Sequence, residues 1–293
     1  MKRLTIFTPT YNRAYILPKL YKSLCVQTCQ DFEWLIVDDG STDHTKQLVE
    51  EWRKDGKVTI RYIYQDNSGK MMAHNRAVRE STAELFMCID SDDHLFSDKV
   101  VEDTLSYWQQ QMAIVDNLER ICGLIGYKQI GGNIQRFPQD MLVAHLSELI
   151  EKGFNGEKTL LFRRDILAKF LFPYFEGEKF VTDDYVYDQI DRIYRFLLFP
   201  YYIQNCEYQI GGYSDNYIKL LFDNPKGFRA YHNQCVKFRK KGYLKSVICY
   251  VALSIRIGDR KMFSQAASPF LTALLFPLGV VKYLFDNQRL SHI

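Results

Sequence analysis

Four short apolar runs, separated by residues at helical spacing, limit what this chain can fold into. Leu4 to Thr8 is the first and stops at Pro9. Phe32 to Val37 is the second. Val58 to Tyr64 alternates with period two, and Leu85 to Ile89 is wholly apolar. Between them, Ile16, Leu17, Leu20 and Leu24 mark one helix, and Leu48, Val49 and Trp52 mark another behind a cap at Ser41 or Thr42. Residues 70–81 form a third. A helix follows from about Ser97, and Ile121 to Tyr127 is a fifth strand. This alternation predicts an α/β fold: a Rossmann-like, mostly parallel sheet flanked by helices. A length of 293 residues holds one large domain with an appendage, and 47% hydrophobic residues supply its core. There is no internal repeat.

In such sheets ligands bind beyond the carboxyl ends of the strands. Three strands end there in polar clusters: Pro9-Thr10-Tyr11-Asn12-Arg13, Asp38-Asp39-Gly40-Ser41 and Asp90-Ser91-Asp92-Asp93. Asp90, Asp92 and Asp93 crowd three carboxylates into four residues, which a hard cation such as Mg²⁺ or Mn²⁺ would relieve. The same acids would also suit the start of a helix. Asp38 and Asp39 can accept hydrogen bonds from a ribose or a base, or simply form a turn.

Four elements in register, Thr8-Pro9-Thr10-Tyr11-Asn12-Arg13, Val37-Asp38-Asp39-Gly40-Ser41-Thr42-Asp43, Asn67-Ser68-Gly69 with Asn75, and Asp90-Ser91-Asp92-Asp93, closely resemble the family-2 glycosyltransferases of GT-A fold. The resemblance covers roughly the first 95 residues. It implies a nucleotide-sugar donor, usually a UDP-sugar, and Mn²⁺ or Mg²⁺. It places Pro9, Tyr11 and Arg13 near the nucleotide, and Asp38 and Asp39 at uracil and ribose. Asn67, Asn75 and Ser91 fall in the same donor site. Asp90 and Asp92 become the DxD pair that holds ribose and metal-bound diphosphate. Two positions depart from the pattern: His74 stands where the family often has Arg, and Lys70 follows Gly69 directly. Either or both are expected to bring positive charge to the uracil or diphosphate.

Thr182-Asp183-Asp184-Tyr185 resembles the family's acidic element that supplies a base opposite the leaving diphosphate. By that likeness Asp184 is the base of an inverting reaction and Asp183 its neighbour at the acceptor site. Acids in the first turn of a helix are the plainer explanation, and Glu176 and Glu178 lie close by. Gly211-Gly212-Tyr213-Ser214-Asp215-Asn216 and Asn224-Pro225-Lys226-Gly227-Phe228 resemble the stretch that follows the base in bacterial polysaccharide enzymes of this type, and a lid or an acceptor wall is expected there. His232 is a further candidate to reach the metal.

After Pro225 the chain changes character, which divides it into residues 1–225 and a helical extension, 226–293. The extension carries twelve Lys or Arg against Asp259 and Asp286, a formal +10, so residues 1–225 carry −7 of the net +3. Met262 to Val281 is uncharged but interrupted by Pro269, Pro277 and Gly279, which suits a broken or interfacial helix better than a span. A membrane surface is the expected partner, and a lipid-linked saccharide the expected acceptor. Cell-surface polysaccharide synthesis is the expected setting, at the inner face of the plasma membrane. Seven scattered Cys and an N-terminus that reads straight into a strand fit a cytoplasmic protein. Rival readings are a sugar nucleotidyltransferase, whose glycine-rich loop after the first strand is missing, and an inactive sugar-nucleotide-binding scaffold. Nucleic acid is not expected: the basic residues lie among Pro, Leu and Phe.

Overall fold

The computed structural model describes residues 2–131, 136–154, 156–206 and 217–290. They fall into two compact units, one drawn from Met1–Leu171 and Val186–Ile210, the other from Phe172–Tyr185 and Gly211–Ile293.

The first unit opens as the apolar runs require. Strand β1 (Leu4–Thr10) is followed by α1 (Leu17–Cys25), β2 (Phe32–Asp38), α2 (Thr45–Asp55), β3 (Ile60–Tyr64), α3 (Lys70–Glu80) and β4 (Leu85–Cys88). Then come β5 (His94–Leu95), α4 (Val100–Met112), β6 (Ile121–Gln129), β7 (Val143–Ala144), α5 (Leu146–Glu151), β8 (Lys158–Arg163), α6 (Arg164–Leu167), α7 (Asp184–Asp191, whose first two residues count with the second unit) and β9 (Arg195–Asn205). The sheet runs β3-β2-β1-β4-β8-β6-β9-β5, with β7 on β9. β3, β2, β1 and β4 are mutually parallel, and so are β6 and β9. β8 is inserted antiparallel between β4 and β6. The α/β architecture with flanking helices is therefore as expected.

Every residue of β2 is buried, and Leu17, Leu20, Tyr21 and Leu24 of α1 share one core cluster with its Phe32, Trp34 and Ile36. Trp34, Tyr21 and Trp52 stack there, with Tyr21 and Trp52 centroids 4.3 Å apart.

Two local expectations need correction. β1 does not stop before Pro9 but continues through it to Thr10, in register with β2. Phe7 points its carbonyl at Ile89 N–H on the β4 side, so Pro9, two residues on, turns its nitrogen to that same side. β4 has already ended at Cys88 opposite Phe7, and the absent N–H leaves no strand bond unmade. Ser41 and Thr42 do not cap α2. Its N-cap is His44, and Asp43 Oδ1 takes the Thr45 N–H at 3.0 Å and the Thr45 hydroxyl at 2.6 Å.

The second unit is helical: α8 (Tyr217–Asp223), α9 (Pro225–Phe238), α10 (Tyr243–Arg256), α11 (Met262–Gln265), α12 (Pro269–Leu274) and α13 (Phe276–Leu290). α10 packs against α9 and α13. Its polar centre is Arg229, which bonds Ser254 Oγ at 2.8 Å, the Tyr250 hydroxyl at 2.9 Å and the Asp259 carboxylate. The uncharged stretch from Met262 is broken into three helices, as expected. Among the described residues no helix is long and apolar enough to cross a membrane.

Candidate active site

The ends of β1 and β2 lie side by side, Thr10 opposite Asp38. Asn12 turns the chain with φ 54°, a left-handed conformation that Asn tolerates better than most residues. Its N–H donates to Ser41 Oγ at 2.8 Å, and its Oδ1 accepts from the Thr42 N–H at 2.8 Å. Asp43 Oδ2 accepts from the Ala14 N–H at 3.0 Å. The first two polar clusters are thus one hydrogen-bonded rim. Tyr11 is half exposed upon it, and Arg13 Nη1 donates to the Tyr15 hydroxyl at 2.8 Å.

Asp38 and Asp39 are both buried but hold different things. Asp38 accepts from the Ser41 N–H at 2.7 Å and from the Tyr62 hydroxyl at 2.5 Å. Burial and this carboxylate push the Tyr62 phenol well up, so it remains a donor. Asp39 binds the approach to α3: Gln65 Nε2 at 2.7 Å, the Ser68 N–H at 2.9 Å and the Gly69 N–H at 2.8 Å. Gly40 has φ 90°, and a Cβ there would lie 3.0 Å from the Asn67 nitrogen, so Asn67 passes directly over it.

α3 carries this loop to the third cluster. Lys70 Nζ meets Asp90 at 2.8 Å from Oδ1 and 2.9 Å from Oδ2. Asn75 and His74 are buried on the same helix. The His74 ring stands edge-on to Phe7 and Phe86, at 5.7 and 5.4 Å. Burial first, and then Lys70, takes its pKa to about 3, so the imidazole is neutral at pH 7. Of the two residues expected to bring positive charge, Lys70 is the cation.

The acids that follow β4 have separate environments. Ser91 is buried. Asp93, 2% exposed, binds Lys128 Nζ at 2.9 Å and Gln204 Nε2 at 3.0 Å through Oδ2. Burial opposes ionisation of Asp90, but Lys70, Lys128 and Arg13 outweigh it and hold the carboxyl below its ordinary range. Asp92 is shifted the other way, by burial and by Asp90 and Asp93 beside it, and it makes no ion pair among the described residues.

In the second unit, Asp184 is exposed at the start of α7 and accepts from the Tyr231 hydroxyl at 3.2 Å. Asp183, half buried, precedes it. Glu178 is engaged otherwise: its two oxygens accept from the Lys226 and Gly227 N–H groups at 2.7 and 2.8 Å, closing the N-terminus of α9. His232 lies within the unit with Nδ1 3.3 Å from Ser246 Oγ, and burial, Lys282 and Lys245 lower its pKa to about 4. The stretch Gly211 to Asn216 lies outside the described residues.

The sequence profile of glycosyl transferase family 2 matches residues 5–171, more than half of the chain. This chain belongs to glycosyltransferase family 2. Its fold is that of GT-A enzymes. It is similar to S. aureus TarS 1–349 in complex with UDP-GlcNAc, with TM-score 0.59 and 15% identity over 98% of this chain and 89% of that one. It is also similar to the mannosyltransferase PcManGT from Pyrobaculum calidifontis in complex with GDP-Man and Mn²⁺, with TM-score 0.55 and 18% identity over 97% and 87%. A teichoic acid poly(glycerol phosphate) polymerase of Staphylococcus epidermidis is 42% identical over 98 residues, 33% of this chain but only 14% of the length of that protein.

Burial first, and then Asp90 and Asp93, raise the Asp92 carboxyl, and a hard cation would relieve that repulsion. Among the described residues no group of three or more His, Cys, Asp or Glu is placed to hold an ion. Sequence reasoning missed two residues of the enzyme's acid cluster, Lys128 and Gln204. A lysine closing the apolar run of β6 was the available signal for the first. Gln204 had none, because it reaches Asp93 only through the pairing of β9 with β5 and β6.

Proposed function

We propose that this enzyme is an inverting glycosyltransferase that moves a sugar from a nucleoside-diphosphate donor, UDP-linked, onto a saccharide hydroxyl. The carrying observation is that Asp38 and Asp39 at the end of β2 and the Asp90–Asp92 pair after β4 flank the end of β1 in the parallel sheet of a family-2 chain, with Lys70 set against Asp90. Asp38 and Asp39 hold the rim on which nucleoside and ribose rest, near Pro9, Tyr11, Arg13, Asn67 and Asn75. Ser91 and the two acids beside it take the diphosphate end. The neighbours solved with UDP-GlcNAc and with GDP-Man and Mn²⁺ support a nucleotide-sugar donor and a divalent cofactor.

Asp92 and Asp90 would hold Mn²⁺ or Mg²⁺, with donor phosphate oxygens completing its coordination. When bound, the ion neutralises charge that develops on the leaving diphosphate. Lys70 offers a second positive charge to the same oxygens. Asp184 accepts the proton of the attacking hydroxyl, with Tyr231 orienting its carboxylate and Asp183 beside it at the acceptor site. The acceptor is a lipid-linked saccharide of cell-surface polysaccharide synthesis. Residues 226–293, basic and rich in apolar helix, keep the enzyme peripheral at the inner face of the membrane. The relation to a teichoic acid polymerase supports this setting.

The test is release of UDP from a panel of UDP-sugars with Mn²⁺ or EDTA, on the native chain, Asp92→Asn and Asp184→Asn. Release from one sugar that EDTA and Asp92→Asn abolish is the expected result. Asp184→Asn should bind donor normally and fail to transfer. Absence of calorimetric binding of UDP with Mn²⁺ would refute the UDP assignment.

A further inference from the structure

α12 and α13 are built inside out. The side of α13 turned toward α10 is substantially polar or small. Gly279 lies against Val251, where a Cβ would come within 2.3 Å of its side chain. Asn287 Oδ1 accepts from Arg256 Nη2 at 2.6 Å, and the Tyr283 ring lies beneath the Arg256 guanidinium. Lys282 and Asp286 pair with each other at 3.0 Å. The side turned outward carries Phe270, Leu274, Leu278, Val281, Leu284 and Phe285, each between 52% and 75% exposed. Positions 278, 281, 284 and 285 of α13 recur at three- and four-residue steps on one helical face. A helix of a water-soluble surface has the reverse distribution, and an apolar face this continuous marks a contact surface.

Charge identifies what meets it. Both acids of residues 226–293 are already paired within the unit, Asp259 with Arg229 and Asp286 with Lys282. Residues 226–293 keep a formal +10, and the whole second unit, with Glu176, Glu178, Asp183, Asp184, Asp215 and Asp223 set against Lys179 and Lys219, remains positive at +6. Lys237, Arg239, Lys241, Lys245, Arg260 and Lys261 are exposed. Arg260 and Lys261 directly precede α11, whose exposed Phe263 rests on Phe276 of α13 at 5.7 Å, so cations adjoin one end of the apolar face. A second copy of the chain would bring this positive surface against its like. An anionic bilayer matches both features: headgroups for the cations and acyl chains for the apolar face. α13, with 15 residues, is about 22 Å long, short of the roughly 30 Å hydrocarbon core, so it would lie along the interface.

We propose that the outer face of α12 and α13 is a docking surface for an anionic lipid bilayer, entered by Phe270, Leu274, Leu278, Val281, Leu284 and Phe285. This deepens the membrane placement proposed above and rests on it. The experiment is flotation of the full chain with phosphatidylcholine vesicles, with and without phosphatidylglycerol, comparing the native chain with the triple variant Leu278→Ser, Leu284→Ser, Phe285→Ser. These side chains face solvent, and far-ultraviolet dichroism and the melting temperature verify that the variant folds. The native chain should float with phosphatidylglycerol vesicles and release in high salt, and the variant should bind at least about tenfold more weakly. Equal flotation of variant and native chain would overturn the assignment of this face while leaving the membrane setting intact. No flotation of the native chain would overturn both. A native dimer in sedimentation that the variant abolishes, without vesicle binding, would assign the face to self-association instead. UDP release measured on the same samples keeps these outcomes separate from the donor chemistry.

Discussion

Lys70, in the first turn of α3, closes on both oxygens of Asp90, at 2.8 and 2.9 Å, across twenty residues of sequence. Replacing it by Met removes the cation nearest the acid cluster and leaves Asp90, Asp92 and Asp93 with less compensation. Mn²⁺ alone should then bind tighter, and UDP without metal weaker, each by about tenfold, the worth of one charge-assisted contact. Titration calorimetry with the two ligands separately reads both signs. Equal weakening of both would show that Lys70 only shapes the loop.

Lys128 is the cation for a carboxylate that is 2% exposed. Lys128→Met strands that charge, which typically destabilises by about 3–5 kcal/mol. Asp93→Asn in the same chain should recover much of the loss, because Gln204 can still bond the amide. Denaturant midpoints of the two single variants and the double variant form the cycle.

His74 and His232 impose a pH dependence of definite sign. Both fold with pKa values below the ordinary 6.5, about 3 and about 4, chiefly through burial. The unfolded chain therefore binds protons that the native one refuses. Stability is complete above pH 6.5 and declines from there toward pH 3 for His74 and pH 4 for His232. For His74→Gln, the loss of stability between pH 7 and pH 5 should be smaller than in the native chain by about 2 kcal/mol. An unchanged slope would mean that the native ring is protonated.

Glu178 and Asp184 are separated by what they hold. Glu178→Ala frees two N–H groups at the start of α9 and should lower stability by about 1–2 kcal/mol, with donor binding unchanged. Asp184→Asn should leave the melting temperature unchanged and remove transfer. Thermal melts beside transfer assays distinguish the two; reversed effects would move the base to Glu178.

β1, β2 and β4 were legible because they are buried on both faces and read as largely apolar runs, with Glu33 the charged exception in Phe32–Asp38, while β3 showed itself by its alternation. Acid clusters at strand ends were legible because several adjacent carboxylates are too costly to bury within such a run, so the run ends where the site begins. The sheet's second half was less readable. β8 and β9 lie in a region without sequence motifs, and their order beside β4 and β6 is set by pairings between distant residues.

What the sequence determined by itself was therefore the α/β order, the three converging clusters and the family. What only tertiary structure decided was the state of each group in them. Asp93 is a paired internal anion because Lys128 and Gln204 arrive from other strands. His74 is neutral because Phe7 and Phe86 close around it. Glu178 is a helix cap because α9 begins against it, 48 residues on. Residue type and spacing set what a side chain can do. Its charge and its partner depend on local dielectric and on neighbours that only the folded chain brings within a few ångströms.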